Sequence, residues 1–416
     1  MTEIEGESAV SDEQDDTLLF AGLKVLDVGS WIAGPVAGTI LADFGAQVIK
    51  VELPGIGDAY RQLSALPAFP DADENYMWQM DARNKRSLAL NLKSDEGMKI
   101  LHQLVKGCDV YITNNPLPMR RALKLEYEDL KPLNESMIYA SLTSYGEDGP
   151  EKDREAFDLV AYWARTGLMD LVRTGDAPPA QSLPGMGDHP SAVTLYASIV
   201  TALLKRERTG KGSMVHTSLL ANGLWSASCI AQAAFAGGSL ENFRAARQIP
   251  AFARNLYETR DLRWLQFTMV RTEAEFAHLL HAVGLSGLLE DERFATPEGR
   301  VANSGLLVTL FSDLLKEKTS DEWLQIFVAE GVNATRMALI EELVDFEQVT
   351  ANNMVVPPAD DGINMPLVID HPVGVKGLAK VGPKRAPDLG EHSEEILSEL
   401  GYSAADIERL AASGII

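Results

Sequence analysis

Asp188 stands in the run Pro184-Gly185-Met186-Gly187-Asp188-His189-Pro190-Ser191, directly ahead of a stretch with helical spacing, Ala192 to Leu204. A carboxylate at a helix start has two uses. It can cap the helix by accepting backbone N–H bonds, or, held ionised by the helix dipole and reached past a glycine with no side chain, it can act as a covalent nucleophile. Asp158, in Ala156-Phe157-Asp158-Leu159, is a second carboxylate that could stand beside it. The rival nucleophile, a serine activated by histidine, lacks its GxSxG elbow. His278 and His281 share a helix face, but no acidic third ligand follows at a diagnostic spacing, so no metal site is read.

These residues need a scaffold. Leu23 to Val28 reads as a strand entering the turn Gly29-Ser30, a helical pattern runs through Pro35, Ile40, Leu41 and Phe44 to a stop at Gly45, and Val48 to Val51 reads as a second strand. This is a βαβ unit with parallel strands. A helix at 96–106 and strands at 110–113 and 137–142 continue the rhythm, which predicts an α/β fold with a mostly parallel sheet. The first turn contains Gly29 and Gly34, but their spacing is wrong for the GxGxxG dinucleotide fingerprint. Asn84-Lys85-Arg86 and Lys93 flank alternating Leu88, Leu90 and Leu92, so their basic groups could line a rim; Arg120-Arg121 raises the same question.

The expected organisation is a disordered acidic tail over 1–16, an α/β domain over 17–220, a helix over 221–240, a smaller α+β domain over 241–343, and a tail over 344–416 that the sequence pattern alone assigns to neither domain. The 416 residues, 46% hydrophobic and 23% charged, suffice for sizeable cores. The 37 Lys and Arg against 60 Asp and Glu give a net charge of −23, which opposes binding to nucleic acid or an anionic membrane surface. Two cysteines without paired spacing, no signal-like start and no spanning apolar run point to a reduced, cytoplasmic chain.

Several blocks in order, GLKVLDVGSWIAGPVAGTILADFGAQVIKVE, NKRSLALNLKSDEG, SYGEDGP, AFDLVAYWARTGL, GDHPSAVTLYASIVTALLKRERTGKG and APDLGEHSEEIL, resemble the class III CoA-transferases. That family includes formyl-CoA transferases, cinnamoyl-CoA:phenyllactate CoA-transferases and α-methylacyl-CoA racemases. The resemblance runs from about Phe20 to the C-terminus. It implies a Rossmann-like large domain plus a small domain in an interlocked homodimer, with 221–240 as a linker helix, 344–416 as the return linker and C-terminal part of the large domain, coenzyme A handled as substrate and no permanently bound cofactor.

By the resemblance, Asp188 attacks an acyl-CoA thioester to give a mixed anhydride, and the released thiolate returns to make an aspartyl-CoA thioester. An acceptor acid then takes the CoA. Asp158 is the supporting acid, and Phe157, Gly187 and His189 lie beside the substrate. CoA contacts carry over to Ile32, Ala33, Leu90, Lys93 and Asn114. Two basic family positions are Leu53 and Ala122 here, which leaves Lys93, Arg120 and Arg121 as phosphate partners. Racemases place a histidine where this chain has Phe157, so transfer is favoured over racemisation. The acceptors implied are aryl or branched 2-hydroxy acids or dicarboxylates. The alternatives are an α-methylacyl-CoA racemase and a non-catalytic CoA-binding protein.

Overall fold

The computed structural model describes residues 18–175, 177–248, 251–267, 270 and 272–416; the acidic tail expected over 1–16 lies outside the described residues. The chain divides into two compact units. One runs to Leu171 and resumes with Ala180–Cys229 and Thr350–Ile416; the other comprises Val172–Pro179 and Ile230–Val349.

The first unit is built on a six-stranded sheet of β1 (Lys24–Asp27), β2 (Gln47–Glu52), β3 (Lys85–Ala89), β4 (Val110–Thr113), β5 (Ile138–Thr143) and β6 (Ser213–Ser218). The strands are parallel throughout, in the order β3-β2-β1-β4-β5-β6. Their apolar runs follow from burial on both faces. Leu26, Ile49, Leu88 and Tyr111 join a core with Leu101, Leu104 and Val105 of helix Asp95–Gly107 and with Ile396 and Leu410 of the C-terminal helices. On the other face Val48 and Ile112 meet helix Ala33–Asp43 at Gly38, where an added Cβ would lie 3.5 and 3.6 Å from their side chains. Helix Asp188–Thr209 packs along Ala33–Asp43.

The alternation at Leu88, Leu90 and Leu92 outruns the strand: β3 ends at Ala89, and pairing runs from Val48 with Lys85 to Glu52 with Ala89. That register carries Lys85 indoors, where its Nζ meets Asp27 at 2.9 Å and donates to the Pro35 carbonyl at 2.7 Å. Buried Lys50 lies 2.9 Å from Asp58 and donates to the Gly29 carbonyl at 3.1 Å. Burial pushes the Asp27 carboxyl up, but the charges of Lys50 and Lys85 outweigh it and hold it below its ordinary value. These buried ion pairs fix both ends of the loop after β1.

The second unit has an antiparallel sheet of β7 (Leu256–Glu258), β8 (Trp264–Phe267) and β9 (Ala334–Arg336). Helices Glu273–Ala282, Ser304–Leu315 and Ser320–Ala329 close on it around Tyr257, Phe267, Phe311, Trp323 and Phe327. The stretch expected as one linker helix is two, Leu219–Ser226 and Ser228–Phe235.

Candidate active site

In an open parallel sheet, ligands bind beyond the carboxyl ends of the strands, where the strand order reverses. Here that point lies between β1 and β4. A cavity of about 530 Å³ opens there, lined by Ser30, Trp31 and Ala33 after β1, Asn114 after β4, Thr143 and Ser144 at the end of β5, Phe157, and Asp188.

Asn114 clamps the first loop: its Oδ1 accepts the Ser30 N–H at 2.8 Å and its Nδ2 donates to the Ser30 carbonyl at 2.7 Å. Trp31 has a φ of 65°, a conformation that costs a bulky residue energy and persists only where its surroundings enforce it. The enforcing group is Asp58, whose Oδ1 accepts the Trp31 N–H at 3.0 Å. The indole then stands edge-on to Phe157, with ring centroids 5.2 Å apart, and Phe157 remains 59% exposed on the cavity side.

Asp188 is the first residue of its helix, and Gly187, not Asp188, occupies the capping position. The capping role is therefore not taken up, and no described residue donates a hydrogen bond to the Asp188 carboxylate. Desolvation raises this carboxyl first, the charges of Asp158 and Asp81 add to it, and His189 opposes them, which leaves the group at about 7.

Asp158 is only 2% exposed. Its Oδ2 accepts the Gly187 N–H at 2.9 Å and its Oδ1 that of Leu159 at 2.8 Å, so it ties the turn before Asp188 to a π-helical turn, Leu159–Ala164. Gly187 is explained by packing rather than by substrate approach: a Cβ there would lie 2.7 Å from the Tyr162 ring and 3.0 Å from Asp158.

His189 Nδ1 lies 3.0 Å from the Gly185 carbonyl oxygen and Nε2 lies 3.2 Å from Asp81 Oδ1. The other Asp81 oxygen accepts the buried Tyr60 hydroxyl at 2.5 Å. Burial alone would lower the imidazole, but Asp81, the Gly185 carbonyl and Asp188 overcome it and hold it at about 9.

The remaining residues expected around CoA divide. Ala33 and Asn114 line the cavity. Ile32 is buried beneath the loop, and an added Cβ on Gly185 would touch it at 3.4 Å. Leu90 belongs to the hydrophobic core, not the cavity wall. Lys93 is exposed beyond β3.

Arg120 is 1% exposed, and it donates to the Asn115 carbonyl at 2.5 Å, Ser141 Oγ at 2.6 Å and the Leu142 carbonyl at 3.3 Å. This guanidinium is committed to holding the β4 and β5 loops, which leaves it no face for a phosphate. Arg121 pairs at 2.6 Å with Asp153 on the cavity rim. Arg86 is likewise engaged, with Glu395 and Glu399 at 2.5 and 2.6 Å.

Lys152 and Arg154, also on the rim, were not singled out from the sequence, although they follow the SYGEDGP block directly. One acidic and histidine cluster, Asp43, Asp370 and His371, has ligand atoms within 4.8 Å of one another. Arg83 already neutralises Asp43 and Lys380 already neutralises Asp370.

A doubly wound α/β unit whose crevice holds a carboxylate with no hydrogen-bond donor among the described residues defines a candidate acyl- or nucleotide-handling enzyme, and comparison with known proteins makes this specific. The model of CoA-transferase family III matches residues 20–393, so the chain belongs to that family and is a CoA-transferase. It is 30% identical over 402 residues to the (R)-2-hydroxy-4-methylpentanoate CoA-transferase of Clostridioides difficile, covering 96% of this chain and 100% of the relative. It is also 30% identical over 400 residues to the succinyl-CoA:glutarate CoA-transferase of Mus musculus, covering 95% and 89% respectively. The crystal structure of a CAIB/BAIF family protein from Brucella suis superposes with a TM-score of 0.79 at 28% identity, covering 91% of this chain and 98% of that one.

Proposed function

We propose that Asp188 is the nucleophile of a double-displacement CoA transfer whose acceptor is a branched or aryl 2-hydroxy acid or a dicarboxylate. The observation that carries the reading is a carboxylate at the crevice, wanting a hydrogen-bond partner among the described residues, with its turn fixed by Asp158. An Asp188 oxygen attacks the thioester carbonyl and CoA thiolate leaves, giving a mixed anhydride. The thiolate then attacks the aspartyl carbonyl, releasing the donor's carboxylate and leaving an aspartyl-CoA thioester. The acceptor carboxylate attacks that thioester, and the thiolate finally attacks the acceptor's acyl carbon, which frees Asp188. Lys152 and Arg154 on the rim, Arg121 paired with the rim residue Asp153, and the exposed Lys93 beyond β3 are the candidates for CoA phosphates.

The Trp31–Phe157 wall favours a branched or aromatic acyl group, in keeping with the branched hydroxy acid named for the Clostridioides relative. Racemisation is disfavoured because Phe157 cannot move a proton and both His189 nitrogens are engaged. Trp225 and Phe235, 80% and 74% exposed, are consistent with cover by a second copy, and a cytoplasmic homodimer is the form proposed.

The test is a panel of carboxylic acids offered with succinyl-, acetyl- and aryl-CoA donors, run on the native enzyme and Asp188→Ala. The expected result is transfer to a hydroxy or dicarboxylic acid that Asp188→Ala loses while still binding CoA. Full transfer by Asp188→Ala contradicts the mechanism. Solvent deuterium entering the acyl α-position without an acceptor favours the racemase, and CoA binding with no transfer to any acceptor favours the non-catalytic reading.

A further inference from the structure

The residue after the nucleophile is placed with unusual care. His189 Nδ1 faces the Gly185 carbonyl oxygen at 3.0 Å, and Nε2 faces Asp81 Oδ1 at 3.2 Å. Both atoms are acceptors. A neutral imidazole has one N–H and one lone pair, so it would leave one of these contacts as an acceptor facing an acceptor. A ring with a proton on each nitrogen satisfies both.

The far side of Asp81 is fixed as well. Its Oδ2 accepts from Tyr60, which is buried, and its backbone carbonyl accepts from the Thr39 hydroxyl. Gly185 has a φ of 86°, so the turn that aims its carbonyl at the ring suits a glycine.

We propose that His189 is a positioning residue held as an imidazolium by Asp81 and the Gly185 carbonyl, placing one fixed positive charge beside the nucleophile. The proposal rests on the reading of Asp188 as that nucleophile. Its physical necessity comes from the local charge census. Asp158 from the π-helical turn and Asp81 from helix Tyr76–Ala82 both place carboxylates near Asp188, the Tyr60 hydroxyl reaches the same group through Asp81, and His189 supplies the opposing charge. Without it, a partly buried carboxylate among two others would hold its proton at neutral pH and be a poor nucleophile. Transfer needs a carboxylate that is ionised yet not smothered by direct hydrogen bonds. A charge one residue along the helix meets both demands, because His189 spends its two N–H groups elsewhere.

Two measurements test this. In the native protein labelled with ¹⁵N-histidine, the His189 ring should carry both protons at pH 7.5. That signal should vanish in His189→Gln and convert to a singly protonated ring in Asp81→Asn. In single-turnover acylation by acyl-CoA, His189→Gln should move the pH midpoint up by about one unit, the effect of one neighbouring charge. The loss is then about eightfold at pH 6.5 and less than about 1.2-fold at pH 9.

A His189 ring with one proton at pH 7.5 overturns the proposal, as does a His189→Gln profile that overlays the native one after scaling by a constant. The ring measurement needs no turnover. A charged His189 together with an Asp188→Ala variant that still transfers would therefore refute the nucleophile assignment and leave the imidazolium standing.

Discussion

Between pH 6 and pH 8 the first acyl transfer should accelerate about tenfold. Desolvation, then the charge of Asp158, raises the Asp188 carboxyl to about 7. At that value about 9% of the enzyme carries the ionised nucleophile at pH 6 and about 91% at pH 8. A carboxylate at the ordinary value would be ionised throughout, and the rate would be flat across the same range. The assay is rapid quench of excess enzyme with acyl-CoA, following consumption of the donor acyl-CoA, since slow product release can mask chemistry in steady state. The free-enzyme midpoint is read from kcat/KM. A profile that is flat from pH 6 to 8 refutes the claim that burial and neighbouring carboxylates hold Asp188 up.

Four further variants have outcomes that follow from the site and its contacts. Phe157→Ala removes the ring that stands 5.2 Å from Trp31, so kcat/KM for aryl or branched acyl donors should fall by about 10- to 100-fold while acetyl-CoA changes little. Arg120→Met should lower stability by about 3 kcal/mol or more in urea unfolding, because Ser141, Glu147 and two carbonyls lose a buried donor. Arg121→Ala, which breaks a surface pair with Asp153, should leave the urea midpoint nearly unchanged. Asp188→Asn should melt higher than the native protein at pH 8 and no higher at pH 4. A carboxyl held above its unfolded value binds its proton more tightly when folded, so native stability falls as pH rises from about 4 to about 7, and the asparagine is spared that loss.

Much of the scaffold was legible because parallel strands buried on both faces leave continuous apolar runs, as at Val25–Leu26 and Val110–Ile112. The place of Asp188 at a helix start was legible because a glycine, a carboxylate and a helical run are adjacent in sequence. The apparatus around it was not. Asp81 and Tyr60 reach His189 across 108 and, through Asp81, a further 21 residues of separation, and no local period announces either.

Arg120 and Lys85 read as basic groups free for a ligand, yet tertiary pairing with Ser141 and Asp27 takes them indoors. Trp31 carries no sequence signal for a left-handed backbone, since the cause is Asp58, 27 residues on. The linker expected as one helix is two, parted at Ala227, and Gly223 ahead of that break packs so closely that a Cβ would lie 2.3 Å from the Tyr162 carbonyl oxygen.

The most direct test of Asp188 as the acyl-accepting group is chemical capture. Enzyme incubated with acyl-CoA and no acceptor, then treated with hydroxylamine and digested, should yield a hydroxamate on Asp188 and on no other residue, with one CoA released per site. An unmodified Asp188 peptide, or a hydroxamate on Asp158 or another carboxylate, would contradict the account.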